Sequence, residues 1–203
     1  LEENSAKKTN LGALAVDTGK FTGRAPKDRY IVNDSETKNT VWWGNINQPF
    51  SEENFRKIRD KIILHLNKKD KIYARNCFAC ANKKYRLNIT LISESAWASL
   101  FGYNMFIRPN EEELENFKNE WTIICAPSFE AAPKKDGTKK GNFSIISFKE
   151  KQIIIGGTAY TGEIKKGVFS VLNFLLPHKN NVLAMHCSAN IGIKNDTALF
   201  FGL

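Results

Sequence analysis

Lys165 and Lys166 stand side by side behind a cluster of glycines, and their placement suggests chemistry. The stretch reads Ile153-Ile154-Ile155-Gly156-Gly157-Thr158-Ala159-Tyr160-Thr161-Gly162-Glu163-Ile164-Lys165-Lys166-Gly167. Three β-branched residues specify a buried strand, two glycines turn it, and Gly162 precedes an amphipathic run from Glu163 to Leu175. Both lysines therefore fall in the opening turn of a helix, where the helix dipole already carries about half a positive charge. Solvation would make that cost small if they were ordinary surface lysines. Behind a strand–glycine–helix junction, however, backbone N–H groups and ammoniums can converge on a carboxylate or phosphate. The anion site is the preferred reading.

A second group of cations lies in Asp17-Thr18-Gly19-Lys20-Phe21-Thr22-Gly23-Arg24-Ala25-Pro26-Lys27-Asp28-Arg29. Glycines let backbone approach a ligand closely, and an arginine offers a planar fork to a carboxylate. The loop reads equally well as a basic turn leading into the strand Tyr30-Ile31-Val32. His186 sits near the end of an expected strand, Val182 to Ser188. A lone histidine there is a hydrogen-bonded core residue unless a partner ligand lies nearby.

The elements that must position these groups follow from pattern. Leu14-Ala15-Val16 reads as a short strand. Ser51 caps a helix carrying Phe55, Ile58, Ile62 and Leu66 on one face. Tyr85 to Leu91 alternates as a half-buried strand. Ser93 starts a short helix with Trp97, Leu100 and Phe101 inward, and Asn104 to Pro109 is extended. Asn110 and Glu113 form a capping box for a helix through Phe117. Thr122 to Cys125 is a strand, Lys134 to Asn142 a mobile polar loop, and Ser144 to Phe148 pairs with Ile153 to Ile155 around a charged turn. Ile164, Val168, Val171, Leu172 and Leu175 make the apolar face of the last helix, which Pro177 ends. Trp42-Trp43-Gly44 reads as core packing. The sum is a mixed α/β domain without internal repeats.

The 203 residues, 42% hydrophobic and 25% charged, suit a soluble globular protein with a sizeable core, one good-sized domain with room for part of another. No apolar run approaches the roughly 20 residues that span a membrane, so no membrane partner is expected. The net charge of +9 points to anionic partners. The pairs Lys7-Lys8, Lys68-Lys69, Lys83-Lys84, Lys134-Lys135 and Lys139-Lys140 read as solvated loops. Cys77-Phe78-Ala79-Cys80 has metal or redox spacing, but Cys125 and Cys187 are isolated. Buried structural thiols and a reducing, cytoplasmic compartment are expected. No signal peptide is visible. Both ends read as cut, the last through the strand-like run Thr197 to Leu203, and a fragment is expected.

Together these segments resemble the ATP-dependent phosphoenolpyruvate carboxykinases. The landmarks are Asp17 to Arg24 with Pro26-Lys27-Asp28, Trp42-Trp43, Asn104 to Pro109, Gly156-Gly157-Thr158 with Tyr160, Gly162-Glu163, Lys165-Lys166-Gly167, Met185 to Asn190, and Phe200 to Leu203. Several long motifs in order across nearly the whole chain make a specific signal. Ala25, Ala159 and Asn195 depart from the family's usual serine, aromatic and glycine. The resemblance implies the mixed-sheet N-terminal domain of that fold. It makes 1–181 a substrate-binding domain and 182–203 the start of a truncated nucleotide-binding domain. It also implies decarboxylation and phosphorylation of oxaloacetate by ATP to phosphoenolpyruvate, CO2 and ADP, a lyase reaction of gluconeogenesis.

By the same resemblance, Arg24 and Tyr160 hold substrate carboxylates, Lys166 also touches substrate, and Lys165 faces the phosphoryl group. Lys166 and His186 are ligands to Mn2+, with Mg2+ accompanying ATP. Lys166, His186, Gly202 and Leu203 border the nucleotide. The phosphate loop would begin at Gly202, and the third metal ligand would lie beyond Leu203, so the fragment alone is expected to be inactive. A non-catalytic basic domain binding nucleic acid is the alternative; it lacks a continuous basic stripe or a known motif. Another nucleotide triphosphatase sharing only the terminal strand is a further one.

Overall fold

A computed structural model describes residues 6–202. In chain order the elements are β1 (Ala6–Lys8), β2 (Leu14–Val16), β3 (Arg29–Val32), β4 (Gln48–Phe50), α1 (Glu52–Leu66), β5 (Tyr73–Ala79) and β6 (Leu87–Ser93). There follow α2 (Ala96–Met105), α3 (Glu111–Glu115), β7 (Trp121–Ala126), α4 (Pro133–Asp136), β8 (Phe143–Ser147), β9 (Gln152–Gly156), α5 (Gly162–Asn180), β10 (Ser188–Ile191) and β11 (Thr197–Phe200). The chain divides into two compact units, Leu1–Val168 and Phe169–Leu203, with the boundary inside α5.

The first unit is built on a seven-stranded mixed sheet in the order β4-β3-β8-β9-β7-β6-β5. β9 occupies its middle, antiparallel to β8 and parallel to β7. Its Ile153, Ile154 and Ile155 are all buried, as a continuous apolar run must be when both faces of a strand are covered. On one face Ile154 joins a core with Phe143, Ile145 and the α1 stripe Phe55, Ile58, Ile62 and Leu66. Ile153 meets the start of α5 at Gly167, where a Cβ would come within 3.1 Å of it. The mixed α/β expectation holds. β1 and β2 form a separate hairpin, as do β10 and β11 in the second unit.

Caps behave as their sequences direct. Ser51 accepts the Asn54 N–H at the start of α1, and Asn110 with Glu113 makes the reciprocal capping box of α3. Several boundaries differ from the sequence reading, each for a visible reason. Tyr85 lies in a 3-10 turn begun by the Asn82 side chain, so β6 starts at Leu87. Ser93 stays in β6, and α2 begins at Ala96 with Ala96, Ala98, Ser99 and Gly102 buried rather than Trp97, Leu100 and Phe101. A Cβ on Gly102 would lie 2.7 Å from Leu91, so the helix approaches the sheet too closely for bulky residues on that face. α2 also takes in Asn104 and Met105, and α3 stops at Glu115, short of Phe117.

Pro177 does not end the last helix. It lies inside α5, which runs to Asn180 and stops where Asn181 takes a left-handed φ of 54°. A proline costs one hydrogen bond, but its own φ is helical. The strand expected over Val182 to Ser188 is absent: residues 181–187 form no regular element, and β10 begins at Ser188. Trp42 is 91% exposed rather than core. Its loop closes on itself through Thr37 and Asp34, with Trp43 donating to Lys38 O, and leaves Trp42 outside.

The 134–142 segment is anchored rather than loose. Pro133–Asp136 is a short helix whose buried Asp136 accepts the Ala132 N–H and pairs with Lys61. Lys139 N–H donates to Tyr30 Oη at 2.9 Å. Three of the paired lysines are likewise engaged. Lys69 bridges to Glu94 at 2.9 Å, Lys139 bonds Gln48, and Lys140 lies 3.7 Å from Asp28.

Cys77 and Cys125 are buried and Cys80 and Cys187 half-buried, all four free. Burial raises both Cys77 and Cys125 to about 12. At pH 8 only about one such thiol in ten thousand is thiolate. A disulfide reagent should therefore label Cys80 and Cys187 in the folded protein, and Cys77 and Cys125 only at the rate of unfolding.

The β9–α5 junction depends on bare backbone. Gly157 has a φ of 68°, and a Cβ there would lie 2.6 Å from Gly141 O and 2.8 Å from Asn142 Cα. Neither neighbour can move without the backbone. Gly12 has a similar φ, 84°, with nothing within 4 Å. Gly157→Ala should cost more than about 3 kcal/mol in urea unfolding, and Gly12→Ala about 1 kcal/mol.

Candidate active site

The cation-rich loop is built from short-range bonds. Asp17 accepts the Gly19 N–H at 2.8 Å, turning the chain after β2. Pro26 opens a 3-10 turn, Pro26–Asp28, that delivers the chain into β3. Gln48 donates to Lys27 O, and the buried Asp28 faces Asn142 Nδ2 at 3.5 Å. A pocket of about 400 Å³ opens here, with Lys20, Phe21, Arg24 and Lys140 among its lining residues.

Glu163 joins this loop to the start of α5. It is 2% exposed. Its Oε1 accepts the Ala25 N–H at 3.1 Å and its Oε2 accepts Arg29 Nε at 2.8 Å. One carboxylate thus grips both ends of the 25–29 turn. It also lies in the first turn of α5, where a negative charge suits the helix dipole. Ala25 takes part through its backbone, so the missing serine hydroxyl does not affect this bond. Sequence reasoning assigned Glu163 no role. The available signal was its position: an acid at the head of a helix whose next residues are two lysines.

The junction closes around aromatic and glycine contacts. A Cβ on Gly162 would overlap the Tyr160 ring, so the ring folds back over the bare Cα. Tyr160 is half-buried there, and its N–H donates to Thr158 Oγ1 at 3.2 Å. Lys165 is exposed and Lys166 half-buried. The Lys166 amine is held below the ordinary lysine range by burial, and then by the charges of Arg24, Lys165 and Arg29. Arg24, far away in sequence, therefore acts on the same amine as its neighbour Lys165.

The remaining candidates lie in the second unit. His186 is exposed in the segment before β10, its ring 5.4 Å from that of Phe169. Asn195, in the β10–β11 turn, has a φ of 60°, a conformation asparagine tolerates and glycine takes freely. Gly202 is exposed after β11, and Leu203 lies outside the described residues. Among the described residues no group of three or more His, Cys, Asp and Glu gathers as a metal site, and no helix is long and apolar enough to cross a membrane. The Lys166 amine, held below the ordinary lysine range, and the His186 imidazole are each donor types that a divalent transition ion accepts.

Comparison with known proteins bears on the same residues. The family described as phosphoenolpyruvate carboxykinase matches residues 1–203. A protein of Christiangramia forsetii named phosphoenolpyruvate carboxykinase (ATP) is 55% identical over 195 residues, 96% of this chain and 36% of that protein. Proteins of the same name from Geobacillus kaustophilus and Staphylococcus haemolyticus are each 51% identical over the whole of this chain and 38% of their own length. The chain thus spans little more than a third of the relatives it matches.

The cation crowd has a titration consequence. A lysine whose folded pKa lies below its unfolded value weakens the fold while pH is below the folded pKa. That cost fades as pH rises toward the unfolded value. Removing a neighbouring cation should relieve it. Arg24→Gln is expected to raise the Lys166 pKa, read from the pH dependence of its signal after ¹³C-reductive methylation. An unchanged Lys166 titration in that variant would show that Arg24 does not act on the amine.

Proposed function

The chain belongs to the phosphoenolpyruvate carboxykinase family, and from that membership we propose what it contributes to the whole protein: the substrate side of an ATP-dependent carboxykinase. The reaction converts oxaloacetate and ATP to phosphoenolpyruvate, CO2 and ADP in the cytoplasm. Residues 1–181 serve as the substrate-binding domain, and 182–203 begin the nucleotide-binding domain. The observation that carries this reading is the meeting of the Arg24 loop with the Lys165-Lys166 turn across Glu163.

The chemistry asks for such a cluster. Decarboxylation breaks a C–C bond and leaves its electrons as an enolate, whose oxygen then attacks the γ-phosphorus of ATP as ADP departs. Both reacting partners are anionic, so fixed positive charge matters more than a proton base. Arg24, exposed at the pocket, presents a planar fork to a substrate carboxylate, and Tyr160 contributes a phenol to the same substrate. Lys166 touches substrate and would hold Mn2+ through its neutral amine, with His186 as a second ligand. The chemistry such an ion would supply is positive charge against the enolate and the phosphoryl group, with Mg2+ accompanying ATP. Lys165 remains an ammonium facing the transferring phosphoryl group. Lys166, His186, Gly202 and Leu203 border the nucleotide. No specific observation favours a nucleic-acid-binding domain.

The test uses the whole protein. Arg24→Lys keeps the charge but loses the bidentate geometry, so kcat/KM for oxaloacetate should fall about ten- to a hundredfold. His186→Gln should raise the Mn2+ concentration needed for activation, whereas Lys165→Arg should leave it unchanged and lower kcat. Wild-type kinetics in Arg24→Lys would remove Arg24 from the clamp. Equal loss of Mn2+ affinity in His186→Gln and Lys165→Arg would overturn the division of labour between the two lysines.

A further inference from the structure

Glu163 stands apart from the groups assigned to substrate, metal or nucleotide, yet it is the most buried charged side chain at the junction. Its surroundings are cationic: Arg29 is bonded to it, and Arg24 and Lys166 flank the turn it holds. A surface ion pair in that position would contribute little. This one is different in geometry. The N–H of Ala25 belongs to the peptide group whose carbonyl is that of Arg24, so the bond from Ala25 to Glu163 Oε1 fixes the plane from which the Arg24 side chain departs. The other oxygen takes Arg29 Nε, four residues on, across the 3-10 turn. Arg29 in turn leads straight into β3, which pairs with β8. The Arg24 loop is therefore fixed at its trailing end to the sheet and, through Glu163, to the turn that carries Lys165 and Lys166.

We infer that Glu163 is a positioning residue, a latch whose two carboxylate oxygens set the Arg24 side chain in register with the lysines at the head of α5. This rests on the reading of Arg24 as the carboxylate clamp. It adds that the clamp's geometry is set by a group that never meets substrate. With the latch intact, the guanidinium fork starts from one fixed backbone orientation. Without it, the 24–29 segment samples several, and a bidentate contact tolerates few of them. The loss should fall on the substrate whose carboxylate Arg24 holds and should spare the nucleotide.

The experiment is a double-mutant cycle in the whole protein, combining Glu163→Gln with Arg24→Lys and read with amide hydrogen exchange. Glu163→Gln should lower kcat/KM for oxaloacetate about tenfold or more while the KM for ATP stays within about twofold. In the Arg24→Lys background the same change should cost less than about threefold, because there is no fork left to position. Glu163→Asp, which keeps the charge but is one methylene shorter and cannot reach both partners, should lie between glutamate and glutamine. Exchange across residues 24–29 should quicken in Glu163→Gln. Asp136→Asn, an equally buried carboxylate in a different loop, should lower the melting temperature and leave the oxaloacetate kinetics unchanged. If Glu163→Gln does not fold, the aspartate variant carries the same comparison. Losses that multiply fully in the double mutant, or that fall equally on ATP and oxaloacetate, would overturn the latch and leave Glu163 a structural ion pair. A folded wild-type protein without carboxykinase turnover would overturn the proposed function instead. The latch would then be judged by exchange alone, faster exchange at 24–29 in Glu163→Gln supporting it and unchanged exchange ruling it out.

Discussion

A single buried carboxylate, Glu163, ties the loop that carries Arg24 to the helix start that carries Lys165 and Lys166. Arg24, Lys165 and Lys166 come from a loop before β3 and from the head of α5, and like charges brought near one another repel. Glu163 answers this with two directed bonds rather than diffuse attraction. Its own burial is costly unless both oxygens are satisfied, and both are, one by a backbone N–H and one by a guanidinium. The helix dipole adds to the compensation, because the carboxylate sits in the first turn of α5.

The junction that presents Glu163 is shaped by the absence of side chains. Gly156 meets Phe143, Gly157 meets the backbone of Gly141 and Asn142, Gly162 lies under the Tyr160 ring, and Gly167 lies on Ile153. At Gly156, Gly157 and Gly162 the approach is closer than a Cβ permits, and at Gly167 it is tight. The glycines thus do more than turn the chain. They let α5 begin close against the central strand, so that the lysines project from a rigid base and not from a mobile loop. The buried triple isoleucine of β9 is the other half of that base.

Much of this was legible in sequence because its causes are local. Ser51, Asn110 with Glu113, and the isoleucine run each carry their own physical signature, and each does what that signature says. The misses share a different cause. Trp97, Leu100 and Phe101 yield the inner face of α2 to small residues because of how close that helix comes to Leu91. Trp42 is exposed because its loop closes through Thr37 and Asp34. Lys69, Lys139 and Lys140 answer Glu94, Gln48 and Asp28, residues far away in the chain. The same limit hid Glu163: a glutamate at a helix start has an adequate local explanation, and its partners at Ala25 and Arg29 lie 138 and 134 residues away.

Charge balance at the site has two opposed requirements, and one arrangement meets both. Anionic substrates call for a positive field, which argues for leaving cations uncompensated. Stability calls for pairing them. The structure pairs Arg29 with Glu163, and that compensated cation is the one that anchors the loop. Arg29 is only partly exposed, where an unpaired charge would be hardest to keep. Arg24 and Lys165 reach solvent, where water screens them until a ligand replaces it. Lys166 is half-buried, and burial first and then the charges of Arg24, Lys165 and Arg29 lower its pKa. The neutral-donor role proposed for Lys166 suits that intermediate position, partly withdrawn from solvent, beside other cations, and one turn from Glu163.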